Sequence, residues 1–85
     1  MKVVKRKLGR EKAHGQAHLG DRVIEIDPRL QGRKLMEILI HEAMHILNPS
    51  FSETEIVKQS KKITQVLWKE NFRRVETEKG QPLQK

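Results

Sequence analysis

Apolar residues recur along this chain with two different periods, and each period predicts a different element. Arg22-Val23-Ile24-Glu25-Ile26-Asp27 sets β-branched residues in near alternation with polar ones, the pattern of a strand. From residue 33 the spacing changes. Leu35, Ile38, Leu39, Ala43, Ile46 and Leu47 fall three and four positions apart on one broad face, which predicts an α-helix over 33–47. Met36, Ile40 and Met44 carry the apolar character nearly all round, so this helix is expected at the centre of the fold, mostly buried. A second helix is expected over 53–72, with Ile56, Ile63 and Leu67 as its inner stripe and Val57 and Trp68 beside it.

Punctuation between these segments agrees with them. Pro28 ends or kinks the strand, and Leu30-Gln31-Gly32 leads into the first helix. Asn48-Pro49 closes that helix, because a residue preceding proline is pushed out of the α region. Ser52-Glu53-Thr54-Glu55 has the form of a capping box, with Ser52 as N-cap and Glu55 at the third helical position. Met1 to Leu8 reads as a short edge strand whose lysines discourage pairing with other chains. Gly9 to Gly20 reads as a loop or an irregular hairpin. Residues 73–85 are polar and contain Gly80-Gln81-Pro82, so a flexible tail is expected there, with Arg73-Arg74-Val75 able to add a short strand. The fold class is therefore α+β: a small antiparallel or mixed sheet of two to three strands packed on two main helices, in one domain over 1–72.

Size sharpens the picture. A chain of 85 residues buries only about 60–65% of the surface its unfolded form exposes, and its core is correspondingly thin. Small domains commonly add a staple, and the absence of cysteine removes disulfides and thiolate ligands together. A metal held by histidine and carboxylate, or an oligomer interface, remains to fill that role. No apolar run approaches the roughly 18–20 residues that span a membrane, and Met1 to Lys7 lacks the apolar stretch of a signal peptide. The expectation is a cytoplasmic protein with no membrane partner. The formal charge of +7 favours proximity to DNA or another acidic partner, or else marks a lysine-rich soluble surface. Phe51, Trp68 and Phe72 are the three aromatic residues, too few for a base-stacking platform.

The chemistry lies in His41-Glu42-Ala43-Met44-His45. Two histidines four apart on a helix project from one face, so both imidazoles can reach one ion at about 2.0–2.1 Å. Glu42 follows the first of them directly and points off their bisector, close to the ion without ligating it. From there it can act as general base toward a water that zinc makes acidic, with a pKa near roughly 7. The competing reading treats His41 and His45 as hydrogen-bonded helix histidines. A catalytic zinc needs a third protein ligand and a fourth position for water. Glu53, past the Asn48-Pro49 turn and in the first turn of the next helix, is the choice; otherwise it serves only the positive end of that helix. Glu55 is the alternative, though the capping box already accounts for it. His14 and His18 could supply a nitrogen from the preceding loop.

Ile24-Glu25-Ile26 followed by Leu39 to Leu47 resembles the strand and active-site helix of the zincin metallopeptidases with a glutamate third ligand, in particular the SprT-like and ImmA/IrrE-like groups and small phage or prophage metallopeptidases. The resemblance covers about residues 15 to 72, and its sharp part is the five-residue motif. It implies Zn²⁺ as cofactor, His41 and His45 as ligands, Glu42 as catalytic base and Glu53 as third ligand. The gap from His45 to Glu53 is shorter than in larger members, and no metzincin-type glycine and third histidine follow. No His or Tyr downstream offers itself as oxyanion donor, which leaves His14, His18 or an arginine. The expected function is hydrolysis of peptide bonds in a protein or peptide substrate, which could pair with an exposed sheet edge formed by Val23–Asp27 or Met1–Leu8. The alternatives are a zinc-stabilised binding module without catalysis and a basic nucleic-acid-binding protein.

Overall fold

A computed structural model of the chain describes residues 1–8 and 14–75, and it shows an α+β fold. Three strands, β1 (Lys2–Lys5), β2 (Gly15–His18) and β3 (Val23–Ile26), precede two helices, α1 (Gly32–Leu47) and α2 (Glu53–Lys69). The sheet is mixed, in the order β1-β3-β2: β1 runs parallel to β3 and β2 antiparallel to it. Val23–Ile26 is thus the central strand, and among the described residues the edges of the sheet are β1 and β2. This corrects the expectation that Val23–Asp27 could offer an edge to a peptide. Among the described residues no helix is long and apolar enough to cross a membrane.

The strand β2 occupies the end of the segment read as a loop or irregular hairpin; residues 9–13 of that segment lie outside the described ones. Gly-Gln-Ala-His has little β-propensity of its own. It is held as a strand by its pairing with β3, in which Ala17 faces Ile24 and Gly15 faces Ile26. Arg22 makes the turn between the two at φ 55°, in the left-handed region. Gly15 is required by crowding: a Cβ there would stand 2.7 Å from Ile38 Cγ2, so only glycine lets β2 lie this close to α1.

Beyond β3 the chain turns through Asp27-Pro28-Arg29-Leu30, closed by Leu30 N–H donating to the Asp27 carbonyl at 3.1 Å. The Asp27 carboxylate accepts from the Arg29 amide at 2.9 Å and from its guanidinium at 2.6 and 3.0 Å, and these bonds hold its carboxyl well below the usual carboxylate range. Gly32 then opens α1 at φ +59°, where a side chain would be strained.

The core forms where Ile24 and Ile26 meet Leu35 and Ile46 of α1, with Ala17, Leu30, Ile38, Leu39 and Ala43 around them. Strand alternation sends Glu25 to the opposite face of the sheet, where it binds Arg6 at 3.2 Å and His18. Leu47, expected on the inner face of α1, is exposed. It sits in the last turn, where Ile46 takes the place in the core.

The second helix packs differently from its apolar pattern. Its buried line is Ile56, Ser60 and Thr64, each four residues on, whereas Ile63 is 41% exposed. Small hydroxyl side chains let the two helices approach, and each hydroxyl is satisfied within its own helix: Ser60 donates to the Val57 carbonyl at 3.2 Å and Thr64 to the Ser60 carbonyl at 2.7 Å. The capping box at Ser52 and Glu55 is present as expected. The helix stops at Lys69, three residues short of the expectation. Asn71 adopts φ 66°, its N–H donates to the Trp68 carbonyl, and the Phe72 N–H donates to that of Leu67, both at 3.1 Å. That pair of bonds is a Schellman closure, with asparagine in the left-handed position glycine usually fills. Arg73-Arg74-Val75 is irregular and adds no strand to the sheet.

Candidate metal centre

The two helices of this fold are antiparallel, joined by the turn at Asn48-Pro49. The Asn48 N–H donates to the Met44 carbonyl at 2.8 Å and its own carbonyl accepts from Phe51 at 3.0 Å, so the chain reverses within four residues. This brings the first residue of α2 back beside the C-terminal half of α1. Glu53 Oε1 lies 2.7 Å from His41 Nε2, and Glu53 Oε2 lies 3.1 Å from His45 Nε2. One carboxylate thus spans both rings, with one of its oxygens beside each Nε2.

The rings sit 5.0 Å apart between centroids and cross at 64°. They are mostly covered, with 17% and 25% of their side-chain surface exposed, while Glu53 stands in the open at 64%. The site is therefore a shelf: two anchored nitrogens from the protein body and one carboxylate that closes over them from the solvent side. Glu42 lies beneath. It is 9% exposed, and burial pushes its carboxyl above the ordinary glutamate range, with the charge of Glu53 adding to the rise and His41 and His45 opposing it. One ligand-type atom from each of His41, Glu42 and His45 falls within 4.8 Å of the others, a grouping that could hold a metal ion.

The donor set fits a zinc ion of the borderline type that prefers nitrogen and oxygen ligands. A tetrahedral ion with bonds of about 2.0–2.1 Å keeps its ligand atoms about 3.3 Å apart. The two contacts run to different oxygens of the carboxylate, 3.1 Å from His45 Nε2 and 2.7 Å from His41 Nε2, so a single ligating oxygen would need a shift of that exposed side chain.

No family model matches the chain, and no curated protein or solved structure is similar enough to match it. What the centre can do rests on its own chemistry.

Of the residues singled out in the sequence, His41, Glu42, His45 and Glu53 are brought together. Glu55 is turned away: its carboxylate faces Ser52, at 3.4 Å from the amide and 3.3 Å from the hydroxyl. His18 is committed to Glu25 on the face of the sheet away from α1. His14 is exposed; its carbonyl accepts the Asp27 N–H at 3.0 Å, and its charge bears on Asp27 rather than on the His41 group. Neither loop histidine joins the group, because the β2–β3 pairing fixes both elsewhere. A feature not anticipated is the stack of Arg73 on Trp68, 3.4 Å from the ring centroid. Its signal was available in the five-residue spacing of the two across a helix end.

Proposed function

We propose that the protein is a zinc-dependent metallopeptidase whose ion is held by His41, His45 and Glu53. The observation that carries this reading is the convergence of the Glu53 carboxylate on both Nε2 atoms, with the buried carboxyl of Glu42 directly behind them. Two nitrogens, one exposed carboxylate and an open solvent side make three protein ligands with room for a fourth partner, the arrangement of catalytic rather than structural zinc. Bound there, zinc would supply Lewis acidity, polarising a carbonyl oxygen and making water acidic near neutral pH.

The remaining work falls to the chain. Glu42 would take a proton from water and deliver it to the departing amine; its burial, which raises its carboxyl, supports this by strengthening its hold on the proton between the two transfers. An extended peptide would add to the outer edge of β2, the strand that touches α1 at Gly15 and Ile38, one turn before His41.

The test is metal content and peptide hydrolysis measured together. Stoichiometric zinc in wild type, lost in His45→Ala, with hydrolysis of a denatured protein substrate abolished by Glu42→Gln while zinc is retained, is the expected result. Zinc retained without any hydrolysis by wild type would favour a zinc-stabilised binding module. No zinc at all would sink the reading.

A second reading concerns partners. The outward face of α2 carries Lys58, Lys61, Lys62 and Lys69, all exposed, and no carboxylate occurs between Ile56 and Lys69. Such a stripe suits a nucleic-acid backbone. Binding to duplex DNA that weakens steeply with salt and persists in EDTA would support DNA proximity; its absence would leave the lysines as a solvated face.

A further inference from the structure

At the end of the helix pair remote from His41, His45 and Glu53 lies a groove of about 700 Å³. Leu30, Leu35, Met36 and Leu39 form one side of it and Leu67 and Trp68 the other. Its place at the far end follows from the antiparallel packing: a Cβ on Gly32, at the start of α1, would stand 3.6 Å from the Trp68 ring near the end of α2. The volume falls within the range of roughly 300–1,000 Å³ typical of small-molecule sites.

Among the described residues the groove has one sign of charge: Arg73 and Arg74 are its charged lining residues, and no described carboxylate lines it. Arg73 is held in place rather than free to swing. Its guanidinium stacks 3.4 Å from the Trp68 ring centroid, and its Nη1 donates to the carbonyls of Trp68 at 2.8 Å and Phe72 at 3.2 Å. Among the described residues Arg73 forms no ion pair. An immobilised cation beside a hydrocarbon wall prefers an anion to water, and a planar guanidinium matches a carboxylate in particular.

We propose that this groove is a binding site for a free medium-chain aliphatic carboxylate. The chain lies between Leu35, Met36, Leu39 and Leu67, and the carboxylate meets Arg73. The apolar walls provide affinity through burial, and the arginine selects the charged head over a neutral one. Nothing in this assignment requires a metal or the peptidase reading.

Trp68 is the chain's single tryptophan, so its emission reports the groove directly. The full chain, in EDTA, is titrated with octanoate and separately with 1-octanol, below the concentrations at which either aggregates. The expected result is a saturable change in Trp68 emission with one octanoate per chain, bound roughly tenfold more tightly than octanol. Backbone amide shifts should cluster at 30–40 and 67–74. Arg73→Gln should remove the preference for octanoate, and Arg73→Lys should restore part of it. No saturable response, equal affinity for the two molecules, or a preference that survives Arg73→Gln would overturn the proposal. If Arg73→Gln does not fold, the wild-type amide map decides: shifts centred away from these two segments reject the site.

Discussion

The carboxylate of Glu53 sits 2.7 Å from His41 Nε2 although the two residues belong to different helices and are separated by a proline turn. It reaches His45 with its other oxygen, at 3.1 Å. A pair bridged in this way suits either a set of metal ligands or two ion pairs, and the two are separable by measurement. Glu53→Ala should lower zinc affinity by roughly 100-fold or more, since it removes one of three ligands. In the metal-free protein the same change should cost no more than about 1 kcal/mol, because Glu53 is largely exposed and exposed pairs contribute little. Titration against a competing chelator reads the first effect and a urea melt the second. Unchanged zinc affinity would remove Glu53 from the ligand set.

Glu42→Gln should raise the melting temperature of the metal-free protein at neutral pH. Burial raises the Glu42 carboxyl, so the folded state holds its proton more tightly than the unfolded chain and loses stability as pH rises through the folded value. Glutamine carries no charge to bury. Below the unfolded carboxyl value of about 4.3 both proteins are neutral at this position and the difference should vanish. Melts in EDTA across pH 3.5 to about 8 check the trend, and a gain of equal size at every pH would point to packing instead.

Asp27 titrates in the opposite sense. Arg29 holds its carboxyl far below the normal range, so the charged form favours the fold at and above the unfolded value of about 4. That contribution is lost as pH falls toward the folded value. Asp27→Asn should therefore lower the urea midpoint at pH 7, with the gap between mutant and wild type narrowing in acid. Equal gaps at about pH 7 and pH 2.5 would show that the turn hydrogen bonds alone matter.

Gly15→Ala should destabilise by about 1–3 kcal/mol, as overpacking a filled contact does. The new methyl would stand 2.7 Å from Ile38 Cγ2 and 3.3 Å from the Glu25 carbonyl, and the latter is backbone that cannot rotate away. Truncation of the neighbour, Ile38→Ala, removes that Cγ2 and should recover part of the loss, which a double-mutant cycle measures. A neutral Gly15→Ala would mean β2 stands further from α1 than described.

Ser60→Leu tests the helix seam. By hydrophobic pattern alone the change adds an apolar residue to an amphipathic helix and looks favourable. Ser60 is 1% exposed between packed helices, however, so the larger side chain should cost about 1–3 kcal/mol. Ile63→Ser, at a position 41% exposed, should cost less. Chemical denaturation of the two variants gives the order directly, and the reverse order would restore Ile63 to the inner stripe.

Much of this molecule was legible in its residue pattern because the relevant forces act within a turn or two of chain. The period of Leu35 to Ile46 marks α1, Ser52 and Glu55 close their own capping box, and His41, Glu42 and His45 share one helical stretch whatever surrounds it. The choice of Glu53 was also open to local reasoning, since a short proline turn leaves an antiparallel return as the simple path. Other features were not local. Gly15 to His18 becomes a strand only through β3, and that pairing carries His18 to Glu25 and away from the histidine pair. Ser60 and Thr64 line the seam in place of Ile63 because helix approach rewards small side chains, which a hydrophobicity pattern counts as polar. The groove at Trp68 exists because one helix's start meets the other's end. The sequence by itself determined the two helices and which candidate groups stand together on the first, since backbone hydrogen bonds and caps span a few residues. Tertiary structure alone decided which side chains meet, because packing joins atoms by shape and distance across the chain, and no local period records that.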